Sequence, residues 1–193
     1  KRLQLLQKAA DKYLGEAVSI IHVLPFYPYS SDDGFSVKDY FEVREDIGDW
    51  RDVVELSQRY HLMFDAVINH MSPQSSWFEK YLKEEEGFET FFMEGADYSD
   101  LSQGVRPRTS PLHHDYDGKK VWTTFSEDQV DLNYEDPRVL SAILEVLLFY
   151  VEQGASLIRL DAIGFLWKKD GTTCIHLEET HLVKKLMRKV IEQ

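Results

Sequence analysis

The sequence predicts an α/β protein built on a parallel sheet, and three observations carry that prediction. Strand-like runs stand at 18–24, 61–70 and 156–165, the first of them β-branched and mostly apolar. Helix-spaced apolar patterns lie before, between and after them. The order is helix, strand, helix, strand, a long irregular segment, helix, strand, helix, with no internal repeat evident, and such alternation means parallel strands joined by right-handed crossovers.

In order along the chain, Leu5, Leu6, Ala9, Ala10, Tyr13 and Leu14 recur at helical spacing before Gly15. Residues 18–24 then read as a strand covered on both faces. The segment 25–43 opens with Pro, Ser, Asp and Gly, the composition of a loop. It packs Phe26, Tyr27, Tyr29 and Phe35 around Asp32 and Asp33. Two readings fit: a solvated turn carrying two acids, or flat apolar walls beside acceptors, as a sugar site needs. Asp49 caps a helix to about Tyr60, with Val53, Val54 and Leu56 on its buried side. In the run 61–70, Asp65, Val67 and Asn69 share a face, and Asn69 and His70 gather at its carboxyl end.

From 71 to about 128 the periodicity is lost, which suggests an inserted subdomain or a lid. The acidic run Glu84, Glu85 and Glu86 reads as a solvated face. Arg106 and Arg108 flank the rigid Pro107, as a surface pair or as a guanidinium fork for phosphate or carboxylate. Asp136 followed by Pro137 starts a helix whose stripe is Leu140, Ile143, Leu144, Leu147 and Val151, ended by Gly154. A last helix follows a loop containing Cys174 and His176, with Leu182, Val183, Leu186, Met187, Val190 and Ile191 as its apolar positions.

The strand in 156–165 is unusual. Leu157, Arg159 and Asp161 look one way while Ile158 and Leu160 look the other, so a cation and a carboxylate share its inner side. A buried ion pair gains little over an apolar pair of the same size. It is either a structural pair or a catalytic one, and its place at the carboxyl end of a parallel strand, just before Gly164, favours catalysis.

Composition narrows the function. A formal charge of −12 over 193 residues argues against nucleic acid and anionic membrane surfaces, since both require clustered Lys and Arg. Cys174 is the single cysteine, which fits a reducing, cytoplasmic compartment. No run has transmembrane length, no signal-peptide pattern follows Lys1, and the chain opens in mid-helix without Met, so it reads as a piece of a longer protein.

Three segments together resemble the α-amylase clan of glycoside-active enzymes, glycoside hydrolase family 13. They are Asp65-Ala66-Val67-Ile68-Asn69-His70, Gln129-Val130-Asp131-Leu132-Asn133 and Arg159-Leu160-Asp161, in the clan's order and spacing. Asp32-Asp33-Gly34-Phe35, Arg106-Pro107-Arg108 and Trp122-Thr123-Thr124-Phe125 resemble the sucrose phosphorylase subfamily, particularly its glucosylglycerate branch. The resemblance implies a (β/α)₈ barrel of which only the amino-terminal part is present. Residues 1–70 would run from the first helix to the third strand, 71–133 would form an inserted domain, and 134–193 would run from the third helix to the fourth.

By the same resemblance, Asp161 is the nucleophile and Arg159 orients it and keeps it ionised. Asp32 and His70 bind glucosyl hydroxyls, Phe35 walls the pocket, and Arg108 reaches the side where phosphate enters. Asp65 and Asn69 support the strand ends. A retaining enzyme needs two carboxyl groups about 5–5.5 Å apart, one attacking the anomeric carbon and one protonating the leaving oxygen. Phosphate would then take the glucosyl group from Asp161 as α-glucose 1-phosphate. No metal or organic cofactor is implied, since the aspartates are not spaced as a calcium loop. The family's acid/base Glu would lie beyond Gln193, and Glu178 and Glu179 are not assigned to that role because they precede a helix. These residues alone are expected to be inactive and, with open sheet edges, poorly stable or associated. Two rivals to a phosphorylase remain: an α-glucosidase of the same clan and a non-catalytic sugar-binding fragment.

Overall fold

A computed structural model describes residues 1–95 and 100–192; residues 96–99, within the irregular segment, lie outside the described residues. Its centre is a three-stranded parallel sheet of β1 (Ile20–Val23), β2 (His61–Ala66) and β7 (Ala155–Leu160), with β2 in the middle. Register aligns Val23 with Phe64 and Asp65 with Arg159. The polar ends of the strands therefore form one layer.

Local chemistry places the helices. The Asp49 side chain accepts from the backbone N–H groups of Arg51 and Asp52 at the start of α2 (Trp50–Ser57). Asp136 caps α4 (Pro137–Glu152) by accepting from the Arg138 N–H, with Pro137 in the first turn. α2 ends earlier than the pattern suggests, although the N–H groups of Arg59 and Tyr60 still bond back to Leu56. α1 (Arg2–Tyr13) lies on α2, and α5 (Glu178–Ile191) lies on α4.

The predicted apolar stripes are offset from the buried faces. In α1 the sealed residues are Leu3 and Ala10, whereas Leu5 and Tyr13 are exposed. In α4 they are Val139, Ile143, Val146, Leu147 and Tyr150, and Val151 is open. In α5 Val183 and Met187 are buried while Leu182 and Leu186 face out. α4 is apolar almost all round, so spacing alone cannot choose its inner side.

The sheet also departs from the prediction of strands covered on both faces. Leu62, Phe64 and Ala66 of β2 are sealed in the main core, and Ile21, Val23, Ile158 and Leu160 pack against it. His22 and Arg159 both bond to Asp65, so they mark the opposite face. On that face Ile20 and Leu157 are exposed among the described residues.

The strand predicted over 61–70 stops at Ala66. His70 belongs instead to β3 (His70–Met71), antiparallel to β6 (Val130–Asp131), with His70 opposite Asp131. The irregular segment does hold elements: α3 (Ser76–Leu82) and a hairpin of β4 (His113–Tyr116) with β5 (Lys119–Trp122). They span only two to seven residues, too short to show a period. Phe78, Tyr81, Phe91, Phe92, Val121 and Leu132 join the same core as Leu62 and Phe64. A second, smaller cluster forms from Met93, Leu112, Trp122 and Cys174.

Candidate active site

The site grows from Asp65, whose side chain is wholly buried on the central strand. A buried carboxylate needs a donor for each oxygen. Arg159 Nη1 donates to Oδ1, and His22 Nε2 lies 2.8 Å from Oδ2. Tyr27 Oη donates to the Asp65 carbonyl, 3.1 Å away, fixing the backbone beneath. Nη1 carries two hydrogens, and it also lies 3.2 Å from Asp161 Oδ1. One guanidinium nitrogen thus bridges two carboxylates. Its hydrogen bond to Asp65, and then the charges of Asp65 and Asp161, raise the Arg159 pKa and hold it cationic.

Asp161 sits one residue past β7, its N–H donating to the Ala66 carbonyl at 3.1 Å. Ala162 follows in the left-handed region at φ 50°, turning the chain away so that the carboxylate faces the sheet's carboxyl end. Gly164 lets the next turn close: a Cβ there would stand 2.8 Å from the His176 ring.

A second network fixes His70. Lys168, sealed from solvent, lies 2.8 Å from Asp131 Oδ2 and donates to Asn69 Oδ1 at 3.3 Å. An ammonium group only donates, so the Asn69 amide must turn its NH₂ toward His70 Nδ1, 3.1 Å away. Nδ1 is then the acceptor, and the proton stands on Nε2, 3.0 Å from the Phe35 carbonyl. Burial lowers the His70 pKa, which favours this neutral form. Phe125 packs on the ring, its centroid 5.2 Å away.

The loop carrying Asp32 is clamped to the segment before β6. Ser30 and Ser31 donate to the Asp128 carboxylate, and Ser36 donates to its carbonyl. The Gln129 amide nitrogen donates at 3.0 Å to both Asp32 Oδ2 and the Phe35 carbonyl. Asp32, Asp33 and Gly34 all have positive φ, and a Cβ on Gly34 would meet the Pro25 carbonyl oxygen at 2.8 Å. Only glycine fits there.

These elements border an open cavity of about 350 Å³ lined by Asp32, Asp33, Phe35, His70, Arg108, Phe125, Gln129 and Asp161. It brings together Asp161 and the four residues predicted to bind substrate, with Arg159 directly behind Asp161. A larger hollow of about 500 Å³ includes Ser19 and His61 at the strands' amino ends, where Arg59 is paired with Asp11, but it holds none of these groups. The predicted Arg106 and Arg108 fork is split. Arg106 donates to the carbonyls of Thr109 and Ser110, while Arg108 alone faces the cavity, 3.8 Å from Asp32.

Sequence reading gave no role to His22, Asp128 or Lys168, and quoted Gln129 and Phe125 only as motif members. Lys168 stands in Trp167-Lys168-Lys169-Asp170, which reads as a charged loop; its burial depends on the distant Asp131. Among the described residues no group of three or more His, Cys, Asp and Glu is placed to hold a metal ion, and no helix is long and apolar enough to cross a membrane.

A glucosylglycerate phosphorylase of Escherichia coli is 49% identical over 197 residues, covering 100% of this chain and 35% of that protein. One of Spirochaeta thermophila is 50% identical over 195 residues, covering 99% and 33%. The chain therefore spans about a third of the length of these curated relatives. The crystal structure of sucrose 6F-phosphate phosphorylase from Thermoanaerobacter thermosaccharolyticum superposes with a TM-score of 0.93 at 26% identity, over 99% of this chain and 43% of that one. The family description "Alpha amylase, catalytic domain" matches residues 12–189, and the chain belongs to that family.

Proposed function

We propose that the full-length protein is a retaining α-glucosyl phosphorylase and that this chain supplies its nucleophile and much of its glucosyl pocket. The observation that carries the proposal is the convergence of Asp161, Asp32, Phe35, His70 and Arg108 on one cavity, with Arg159 between Asp161 and a buried aspartate. In this reading the open sheet face is closed by the rest of a (β/α)₈ barrel. Residues 1–70 and 134–193 are barrel, and 71–133 form an inserted domain after the third strand.

Asp161 attacks the anomeric carbon of an α-glucoside and forms a covalent glucosyl ester as the protonated leaving group departs. Arg159 holds the attacking carboxylate in place. Asp32 accepts from glucosyl hydroxyls, and a glucosyl hydroxyl replaces the Phe35 carbonyl as acceptor of the His70 Nε2–H, leaving that carbonyl to the Gln129 amide. Phe35 and Phe125 give the ring apolar walls. Phosphate, drawn by Arg108, then attacks the anomeric carbon of the ester from the vacated side, breaking its bond to Asp161 and releasing α-glucose 1-phosphate and the Asp161 carboxylate. The configuration is retained after two inversions. The acid/base Glu is placed beyond residue 193, as the family resemblance implies.

The names of the relatives at 49% and 50% identity favour glucosylglycerate over sucrose as donor. The test supplies glucosylglycerate to the full-length protein with and without phosphate. Phosphate-dependent release of glycerate with stoichiometric α-glucose 1-phosphate is expected. Equal glucose release without phosphate would mark an α-glucosidase instead, and no turnover of any α-glucoside would mark a binding fragment.

A further inference from the structure

One polar contact of the site lies outside all three motifs. His22, on β1, places Nε2 2.8 Å from Asp65 Oδ2, and this is that oxygen's one hydrogen bond among the described residues. We infer that His22 is a positioning residue that acts through Asp65 and Arg159 to hold Asp161 in its attacking position. The inference rests on the reading of Asp161 as nucleophile.

The geometry leaves Asp65 little freedom while His22 is present. Its carboxylate is sealed from water and is held at both oxygens, by β1 on one side and β7 on the other. Arg159 has far fewer restraints. Its side chain is 46% exposed, and besides the two carboxylates it faces the Phe35 ring, whose centroid is 6.0 Å from the guanidinium carbon. Without the His22 N–H, Oδ2 is buried with no donor, at a cost comparable to a lost charge-assisted hydrogen bond. The cheapest repair is for the carboxylate to rotate and offer both oxygens to Nη1. That rotation pulls Nη1 from Asp161 Oδ1, which loses its orienting partner. A displacement of the reacting group by about 1 Å costs on the order of a hundredfold in rate.

A purely structural His22 would instead change how much protein folds without changing the turnover of what does fold. Glutamine and asparagine separate the two roles. The Gln amide nitrogen reaches the place of Nε2, whereas that of Asn stops near Nδ1, and neither side chain titrates. His22→Gln and His22→Asn are compared in the full-length protein by kcat and KM for α-glucoside phosphorolysis per folded enzyme, with thermal midpoints alongside. The expected result is kcat within about threefold of wild type for His22→Gln and a loss of about ten- to a hundredfold for His22→Asn, with KM for the glucoside changed by less than about twofold. Equal kcat for the two variants, or a fall in thermal midpoint alone, would overturn the inference. Asp161→Asn is the control. Near wild-type turnover there would overturn the nucleophile assignment and this inference with it, whereas an inert control beside a fully active His22→Asn would overturn only the role of His22.

Discussion

Replacing Lys168 by methionine removes a charge from the least accessible part of the site. Lys168 and Asp131 are both sealed, and their charged atoms are 2.8 Å apart. In the variant Asp131 keeps hydrogen bonds from the Thr124 N–H and hydroxyl, but its charge has no counterion. Breaking a buried pair from one side costs about 3–5 kcal/mol. Asn69 Oδ1 also loses its donor, adding about 1 kcal/mol. A loss of about 4–6 kcal/mol is therefore predicted from urea unfolding, a large share of the roughly 5–15 kcal/mol of a typical domain. The control is the double variant Lys168→Met with Asp131→Asn, which removes both charges and keeps the shapes close. It should cost at least about 2 kcal/mol less than the sum of the two single variants. A Lys168→Met loss under about 1 kcal/mol, or strict additivity, would refute the assignment of the pair as a buried electrostatic clamp.

His113 Nε2 is buried without a hydrogen-bond partner, and burial pushes the ring's pKa down to about 4. The unfolded chain takes up that proton near pH 6.5, so between about 6.5 and 4 it binds more protons than the folded state, and stability falls as the pH drops through that window. His113→Phe should flatten the slope, an unchanged slope in acid unfolding curves would contradict the assignment, and His70, also lowered by burial, contributes with the same sign. Gly34→Ala places a methyl 2.8 Å from the Pro25 carbonyl at φ 107° and should cost about 1–3 kcal/mol. Because that turn carries Asp32 and Phe35, KM for the glucosyl donor should rise more than tenfold, and an unchanged KM would show that the loop does not set the pocket.

What was legible in the sequence was local or tied to the ends of strands. The caps at Asp49 and Asp136 depend on hydrogen bonds within three residues, and both formed as read. Asp161 was singled out by its place at a strand's carboxyl end, the roles of Asp32, Phe35, His70 and Arg108 came from the family resemblance, and the fold brings all five to one cavity. Burial was harder to read. Lys168 and Lys169 are neighbours in sequence, yet one is sealed against Asp131 and the other is a surface partner of Glu179. Nothing local separates them. The helix stripes failed for a related reason: Val146 and Leu148 of α4 are both apolar, and the neighbours packed on the helix, not the period, decide which is covered. Likewise, alternation along residues 61–70 could not reveal that the strand stops at Ala66 and that His70 pairs with Asp131 instead.

The central claim is that Asp161 forms an ester with glucose, and trapping that ester tests it most directly. The full-length protein is incubated with a fluorinated α-glucosyl fluoride that glycosylates quickly and turns over slowly, then digested and sequenced by mass spectrometry. A single glucosyl adduct on Asp161, absent from Asp161→Asn, is the predicted result. An adduct on another carboxylate, or sustained phosphorolysis by Asp161→Asn, would contradict it.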